Sequence, residues 1–203
     1  DGFEVQQVLE DIESLNRRAF KGELEVTAIS AGAYPQLADK YRIMVCGASV
    51  GRKYGPIVVS NSSLDKDGLE GKRIGIPGEY TTAYLLLRIY LDKPFTPVFL
   101  NFDEGGEAVK DGRVDAGVII HEGQIMWKQQ GYENVLDLGL AWGEDTGLPI
   151  PLGLDMVHRD LGDDSAQAVV KGLGASIRHA MDNEEDAIDY SLPFGRGIDR
   201  DTC

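Results

Sequence analysis

An α/β fold in two lobes is what this sequence predicts, on three observations. Short β-rich apolar runs alternate with helical stretches, the cycle occurs twice, and a polar stretch at 60–71 separates the two rounds. Strand–helix alternation implies mostly parallel sheets covered on both faces. Two lobes are favoured over one doubly wound sheet, with 1–59 plus 152–203 as lobe 1 and 60–151 as lobe 2. The chain's 203 residues, 42% of them hydrophobic, can supply each lobe with a core.

In chain order, "FEVQQVL" reads as a strand and "DIESLNRRAFKG" as a helix with Asp11 as N-cap. "LEVTAIS" reads as a strand and "AYPQLADKY" as a short helix. "RIMVCG" and "GPIVVS" are strands, the second opened by the turn signal Gly55-Pro56. After the connector "NSSLDKDGLEGK" come strand "RIGIPG", helix "TTAYLLLRIYL", strand "PVFLNF", short helix "GGEAVKDG" and strand "AGVIIHE". "NVLDLG" follows, and the Pro/Gly-rich "TGLPIPLG" reads as the return crossing. Two crossings would let the lobes hinge about a cleft. "LDMVHRD" is a strand, and "DSAQAVVKGLGASIRHAMDN" is the longest helix.

Composition narrows the function classes. A formal charge of −14 argues against nucleic acid or an anionic membrane surface as partner, since both need a basic patch. An anionic substrate must then be held by local dipoles and neutral donors. Cys46 and Cys203 are the only cysteines, so a disulfide framework and a cysteine zinc site are not expected. No apolar run approaches the ~18–20 residues of a transmembrane helix. The chain opens on Asp1 within an amphipathic pattern and stops at "DRDTC", which reads as a fragment.

"GASVG", Gly47 to Gly51, has the G-x-S-x-G form of a hydrolase nucleophile elbow. That elbow needs a helix directly after the serine; here "RKYGP" and another strand follow, so a glycine-rich loop is expected instead. "HEGQI" places Ile125 where H-E-x-x-H needs its second histidine, and His158 and His179 lack ligand spacing. No metal is expected. No G-x-G-x-x-G or Walker lysine loop is present, and no cofactor is expected.

Ser30, Thr81 and His121 fall at the carboxyl ends of strands, where open α/β sheets bind ligands. Thr81 and Thr82 follow "RIGIPG" and open a helix, whose first turn has free N–H groups and a positive dipole end. They are either a neutral cradle for a carboxylate or sugar hydroxyl, or a plain N-cap. Ser30 ends "LEVTAIS" in the same layout in the first lobe. His121 ends "AGVIIHE", where a residue that titrates near neutrality is a candidate base. Glu122 either points to the opposite face or, if the strand stops at Ile120, orients the imidazole.

"LEDIESLNRRAFKGELEVTAIS", "GASVGRKYGPIVV", "IPGEYTTAYLLL", "GRVDAGVIIHEGQ" and "DTGLPIPLG" resemble, in order, the 1,4-dihydroxy-6-naphthoate synthase family of the futalosine route to menaquinone. The resemblance runs from about residue 3 to residue 162. It implies a type II periplasmic-binding-protein-like fold with a ligand cleft between lobes, used by a cytoplasmic carbon–carbon lyase. The implied reaction cleaves cyclic dehypoxanthinyl futalosine to 1,4-dihydroxy-6-naphthoate and dihydroxyacetone. It implies His121 as catalytic base, with Ala28, Ile29, Ser30, Thr81 and Thr82 at the substrate, a small carboxylate. The family's lysine two residues before the serine is Ala28 here, leaving only backbone contact at that position. Gly123, Gln124 and Ile125 replace the Ser-Arg-Phe that commonly follows the histidine, with Trp127 as a substitute aromatic. A homodimer is the assembly considered. The competing readings are a non-catalytic, periplasmic solute-binding protein for a small carboxylate, the related chorismate dehydratase, and a purely structural or partner-binding module.

Overall fold

The computed structural model describes residues 4–52, 54–120, 123–194 and 199–201. The chain begins with α1 (Ile12–Lys21), β1 (Val26–Ser30), a 3-10 turn at Ala31–Ala33, α2 (Tyr34–Leu37), β2 (Tyr41–Gly51) and β3 (Ile57–Ser60). It continues with β4 (Arg73–Ile76), α3 (Thr82–Tyr90), β5 (Thr96–Phe99), α4 (Gly105–Lys110), β6 (Ala116–Ile119) and α5 (Gly123–Met126). It closes with β7 (Glu133–Asp137), α6 (Leu138–Thr146), β8 (Ile150–His158), α7 (Gly162–Asp182) and α8 (Glu184–Ser191).

Local chemistry explains the borders. Asp11 caps α1 as expected, its carboxylate accepting from the N–H groups of Glu13 and Ser14 at 3.0 and 3.1 Å. Gly22 ends the helix at φ 72°, a left-handed conformation that glycine adopts without a Cβ penalty. Asp137 caps α6 through Leu140 N–H at 2.9 Å. Sequence pattern does not show α6, because Gly139 and Gly143 interrupt it.

Two sheets organise the molecule. Strands β1-β8-β2 form the first and β5-β4-β6-β3-β7 the second. The expected mostly parallel pairing is found only for β5, β4 and β6, where α3 crosses from β4 to its neighbour β5 and α4 from β5 to the far side of β4. β3 runs antiparallel to β6 and β7, and β8 antiparallel to β1 and β2. These two strands carry the chain between the sheets, so each enters its sheet from the opposite end. β3, expected in the first lobe, belongs to the second sheet, and the chain changes sheet between Gly51 and Ile57 and again before Ile150.

Both faces of both sheets are covered. Ile29, Tyr41 and Met156 pack with Ala19 of α1 and Leu37 of α2, and Met44 and Val157 pack with Ala166 of α7. In the second sheet one face carries Ile74, Ile76, Leu86, Leu87, Val118 and Leu138, the other Val59, Ala108, Val109 and Val114. Ile150, at the start of β8, packs into the second sheet's core, while Met156 and Val157 on the same strand sit in the first.

Two expectations fail. Residues 4–10 form no strand, because no strand lies alongside to pair their backbone; Val5 and Leu9 are exposed. "GASVG" is strand rather than loop: β2 continues through a bulge between Ile43 and Ala48, and Ser49 pairs with Gly153. The bulge turns on Gly47, at φ 74°, where a Cβ would fall on the Asp155 carboxylate.

Burial between β2, β8 and α7 pushes the Asp155 carboxyl above its ordinary range. Folding therefore favours the protonated form: that stability is whole below the unfolded pKa and is lost as pH rises through the raised folded value. Asp155→Asn is expected to raise the melting temperature at neutral pH, with the gain shrinking toward about pH 4. Thermal melts of both proteins across that range measure it.

Candidate active site

Ser30 stands at the carboxyl end of β1, 3% exposed, with the 3-10 turn starting immediately after it. Asn16, on the inner face of α1 and fully buried, holds it twice. Ser30 N–H donates to Asn16 Oδ1 at 2.8 Å, and Asn16 Nδ2 donates to Ser30 Oγ at 3.1 Å. A buried asparagine with both ends of its amide engaged fixes the strand end in one geometry.

The paired threonines divide their work. Thr81 is the N-cap of α3: its hydroxyl accepts from Tyr84 N–H at 3.2 Å and donates to the Gly78 carbonyl at 2.8 Å. With Tyr84 capped, Thr82 and Ala83 are first-turn residues whose N–H groups have no partner within the helix. Thr82 joins the two sheets. Its hydroxyl accepts from Gly32 N–H at 3.1 Å and donates to the Leu152 carbonyl at 2.8 Å. Ser30, Thr81 and Thr82 thus come to one junction, and all three are buried there.

Helix α1 supplies a third contact that sequence reasoning misses. Glu13 reaches the turn before α3, where Tyr80 N–H donates to its Oε2 at 3.1 Å. Its Oε1 lies 2.9 Å from Arg17 Nη2, a charge contact without hydrogen-bond alignment, and Arg17 reaches Glu79 at 3.4 Å. Gly78 makes the approach possible: a Cβ there would sit 2.5 Å from Glu13 Oε2. Tyr80 then packs against Phe20, ring centroids 4.5 Å apart, with Arg17 over its ring at 5.3 Å. Glu13, Asn16, Arg17 and Phe20 share one helix face at i, i+3, i+4 and i+7. That spacing was the available signal.

The remaining candidates are less concentrated. Ile29 is fully buried in the first core. Ala28 is half-buried and directly opposite Asp155 across the β1–β8 ladder, so its side chain reaches no further than a methyl group. His121 and Glu122 lie outside the described residues. His158 is engaged locally: its Nδ1 accepts from Asp160 N–H at 3.2 Å, and its ring meets Tyr41 edge-on. Among the described residues, no group of three or more His, Cys, Asp or Glu side chains is placed to hold a metal.

A family profile described as menaquinone biosynthesis matches residues 1–200. The chain belongs to this family. Two curated relatives carry the name "1,4-dihydroxy-6-naphtoate synthase". That of Thermus thermophilus is 41% identical over 186 residues, 92% of this chain and 67% of the relative. That of Streptomyces coelicolor is 34% identical over 194 residues, 93% of this chain and 68% of the relative. The menaquinone-biosynthesis chain is therefore an enzyme rather than a transport protein. Among solved structures, one from Archaeoglobus fulgidus matches with TM-score 0.92 and 49% identity, over 97% of this chain and 73% of that one. The alkanesulfonate-binding protein SsuA of Xanthomonas axonopodis pv. citri, bound to MOPS, matches with TM-score 0.68 at 18% identity, over 94% of this chain and 68% of that one. The fold is of the periplasmic-binding-protein type, as the sequence resemblance implied. No helix among the described residues is long and apolar enough to cross a membrane.

Two substitutions test the junction. Thr82→Val keeps the side chain's shape but strands the Gly32 N–H and the Leu152 carbonyl, and should lower the unfolding free energy by about 1–3 kcal/mol in urea titrations. Gly78→Ala should part Glu13 from Tyr80 N–H, exposing that amide to faster hydrogen exchange than in the parent.

Proposed function

We propose that this enzyme cleaves cyclic dehypoxanthinyl futalosine to 1,4-dihydroxy-6-naphthoate and dihydroxyacetone. The observation that carries this reading is the name shared by two relatives that match 92% and 93% of the chain. The convergence of Ser30, Thr81 and Thr82 on one junction supports it, because a carboxylate-bearing substrate needs neutral donors in a chain of charge −14. The lobes on either side would be 1–59 with 152–203 and 60–151, the first boundary moving to 51–57 if β3 goes with its sheet. The cell compartment proposed is the cytoplasm.

In this scheme neutral His121 removes the proton from a sugar-derived hydroxyl. The released electron pair forms a carbonyl, the adjacent carbon–carbon bond breaks, and its electrons enter the forming aromatic ring. Ser30 and the first turn of α3 hold the substrate's oxygens, positioning the bond that breaks. Ala28 and Ile29 would contribute backbone groups alone, as β1 is an edge strand with one side unpaired. Thr82 would act chiefly by joining the sheets around the substrate, since its hydroxyl already bonds Gly32 and Leu152.

Incubation of the purified protein with cyclic dehypoxanthinyl futalosine should release the naphthoate, followed by chromatography with absorbance detection. His121→Ala should lower turnover by at least ~10²-fold while the substrate's Kd stays within a few-fold. Unchanged turnover in that variant would remove His121 from the mechanism.

A further inference from the structure

We propose that Asn16 sets the Ser30 hydroxyl as a hydrogen-bond donor to the substrate. Asn16 is then a positioning residue, and the site selects a carbonyl or carboxylate oxygen at that point. The inference rests on the reading of Ser30 as a substrate contact and adds the polarity of that contact.

The direction of the bonds follows from what each group can do. The Ser30 N–H can only donate, so the Asn16 atom 2.8 Å away is the amide oxygen. The other end of the same amide is then NH2, and it can only donate to Ser30 Oγ, 3.1 Å away. Ser30 Oγ is used as an acceptor, and its own proton is left over. Among the described residues that proton meets no acceptor, although Ser30 is 3% exposed and Asn16 wholly buried. A serine at the start of a helical turn ordinarily uses its oxygen to cap that turn. Ser30 occupies that position before Ala31–Ala33 and makes no such bond. A buried hydroxyl withheld from its own turn, with one of its two lone pairs engaged by Asn16 and its proton unspent, is prepared for an acceptor that arrives with the ligand.

Asn16→Asp reverses the polarity at constant shape. When ionised, the carboxylate introduced by this substitution would accept from both the Ser30 N–H and the Ser30 hydroxyl, drawing the proton away from the substrate. When protonated, the same carboxyl can donate to Oγ as the asparagine does. Binding of cyclic dehypoxanthinyl futalosine, measured by titration calorimetry, is therefore expected to weaken at least ~10-fold at pH 8. Desolvation at this wholly buried position raises the pKa of the introduced carboxyl, so the deficit should shrink toward the parent as pH falls to 5. The charged and titratable groups on the same helix face and on the turn it meets are Glu13 and Arg17, and Glu79 and Tyr80. They are common to parent and variant, so the ratio at each pH isolates the introduced carboxyl. Ser30→Ala should weaken binding without that pH dependence, and adding Asn16→Asp to it should bring no further loss of that size. Parent-like binding by Asn16→Asp at pH 8, or a deficit independent of pH, would overturn the proposal.

The pair can also be read without ligand. In the parent the Asn16 side-chain amide protons should exchange slowly in 15N-edited spectra, and Ser30→Ala should accelerate them. Exchange as fast as that of an exposed asparagine would equally overturn the proposal. Binding without turnover by the parent protein would defeat the proposed reaction and leave this inference standing.

Discussion

The contact between α1 and the turn before α3 is the constraint on which the rest of the junction depends. One carboxylate, Glu13, accepts the Tyr80 N–H across a glycine that has no side chain to hold the surfaces apart. One turn further along the same helix, Asn16 holds the end of β1. The two strand ends are therefore registered against a single rigid element rather than against each other. Thr82 completes the arrangement from the second sheet by bonding the turn after Ser30 and a carbonyl of β8. Arg17 between Glu13 and Glu79 is half exposed and adds little by itself, since solvent screens such pairs. The buried neutral bonds matter more.

That arrangement separates two tasks that paired threonines could share. Thr81 is committed to capping its helix, which leaves the N–H groups of Thr82 and Ala83 as first-turn donors. Thr82 is committed to holding the sheets together. What remains at the junction is a set of neutral N–H and O–H donors.

Much of the fold was legible because the residues that delimit elements act locally. Asp11 and Gly22 bracket α1 through caps and a left-handed turn, and neither needs the rest of the molecule. Strand direction was less legible. β3 and β8 have the same apolar character as their neighbours, and their antiparallel sense arises only from carrying the chain between sheets. Residues 4–10 have a strand-like composition but, among the described residues, no strand beside them, which composition cannot reveal. For the site, Ser30 and the threonines could be placed from strand ends alone. Asn16 and Glu13 could not, because their partners lie 14 and 67 positions away in sequence. His121 was named from its position after β6 and from family resemblance.

β8 has a mechanical consequence. Ile150 is rooted in one core while Met156 and Val157 are rooted in the other, along nine residues that span roughly 30 Å. A strand laddered on both sides and anchored at both ends behaves as an axle rather than a joint. Rotation of one half of the molecule against the other must then be taken up by the short peptide leading into it, 147–149, and by the opposite crossing, between β2 and β3. At that second crossing Gly55 and Gly139 bring two backbones so close that a methyl group on either would collide with the other. Any turning of one half against the other would thus be confined to two narrow connections, one of them without room for a methyl group.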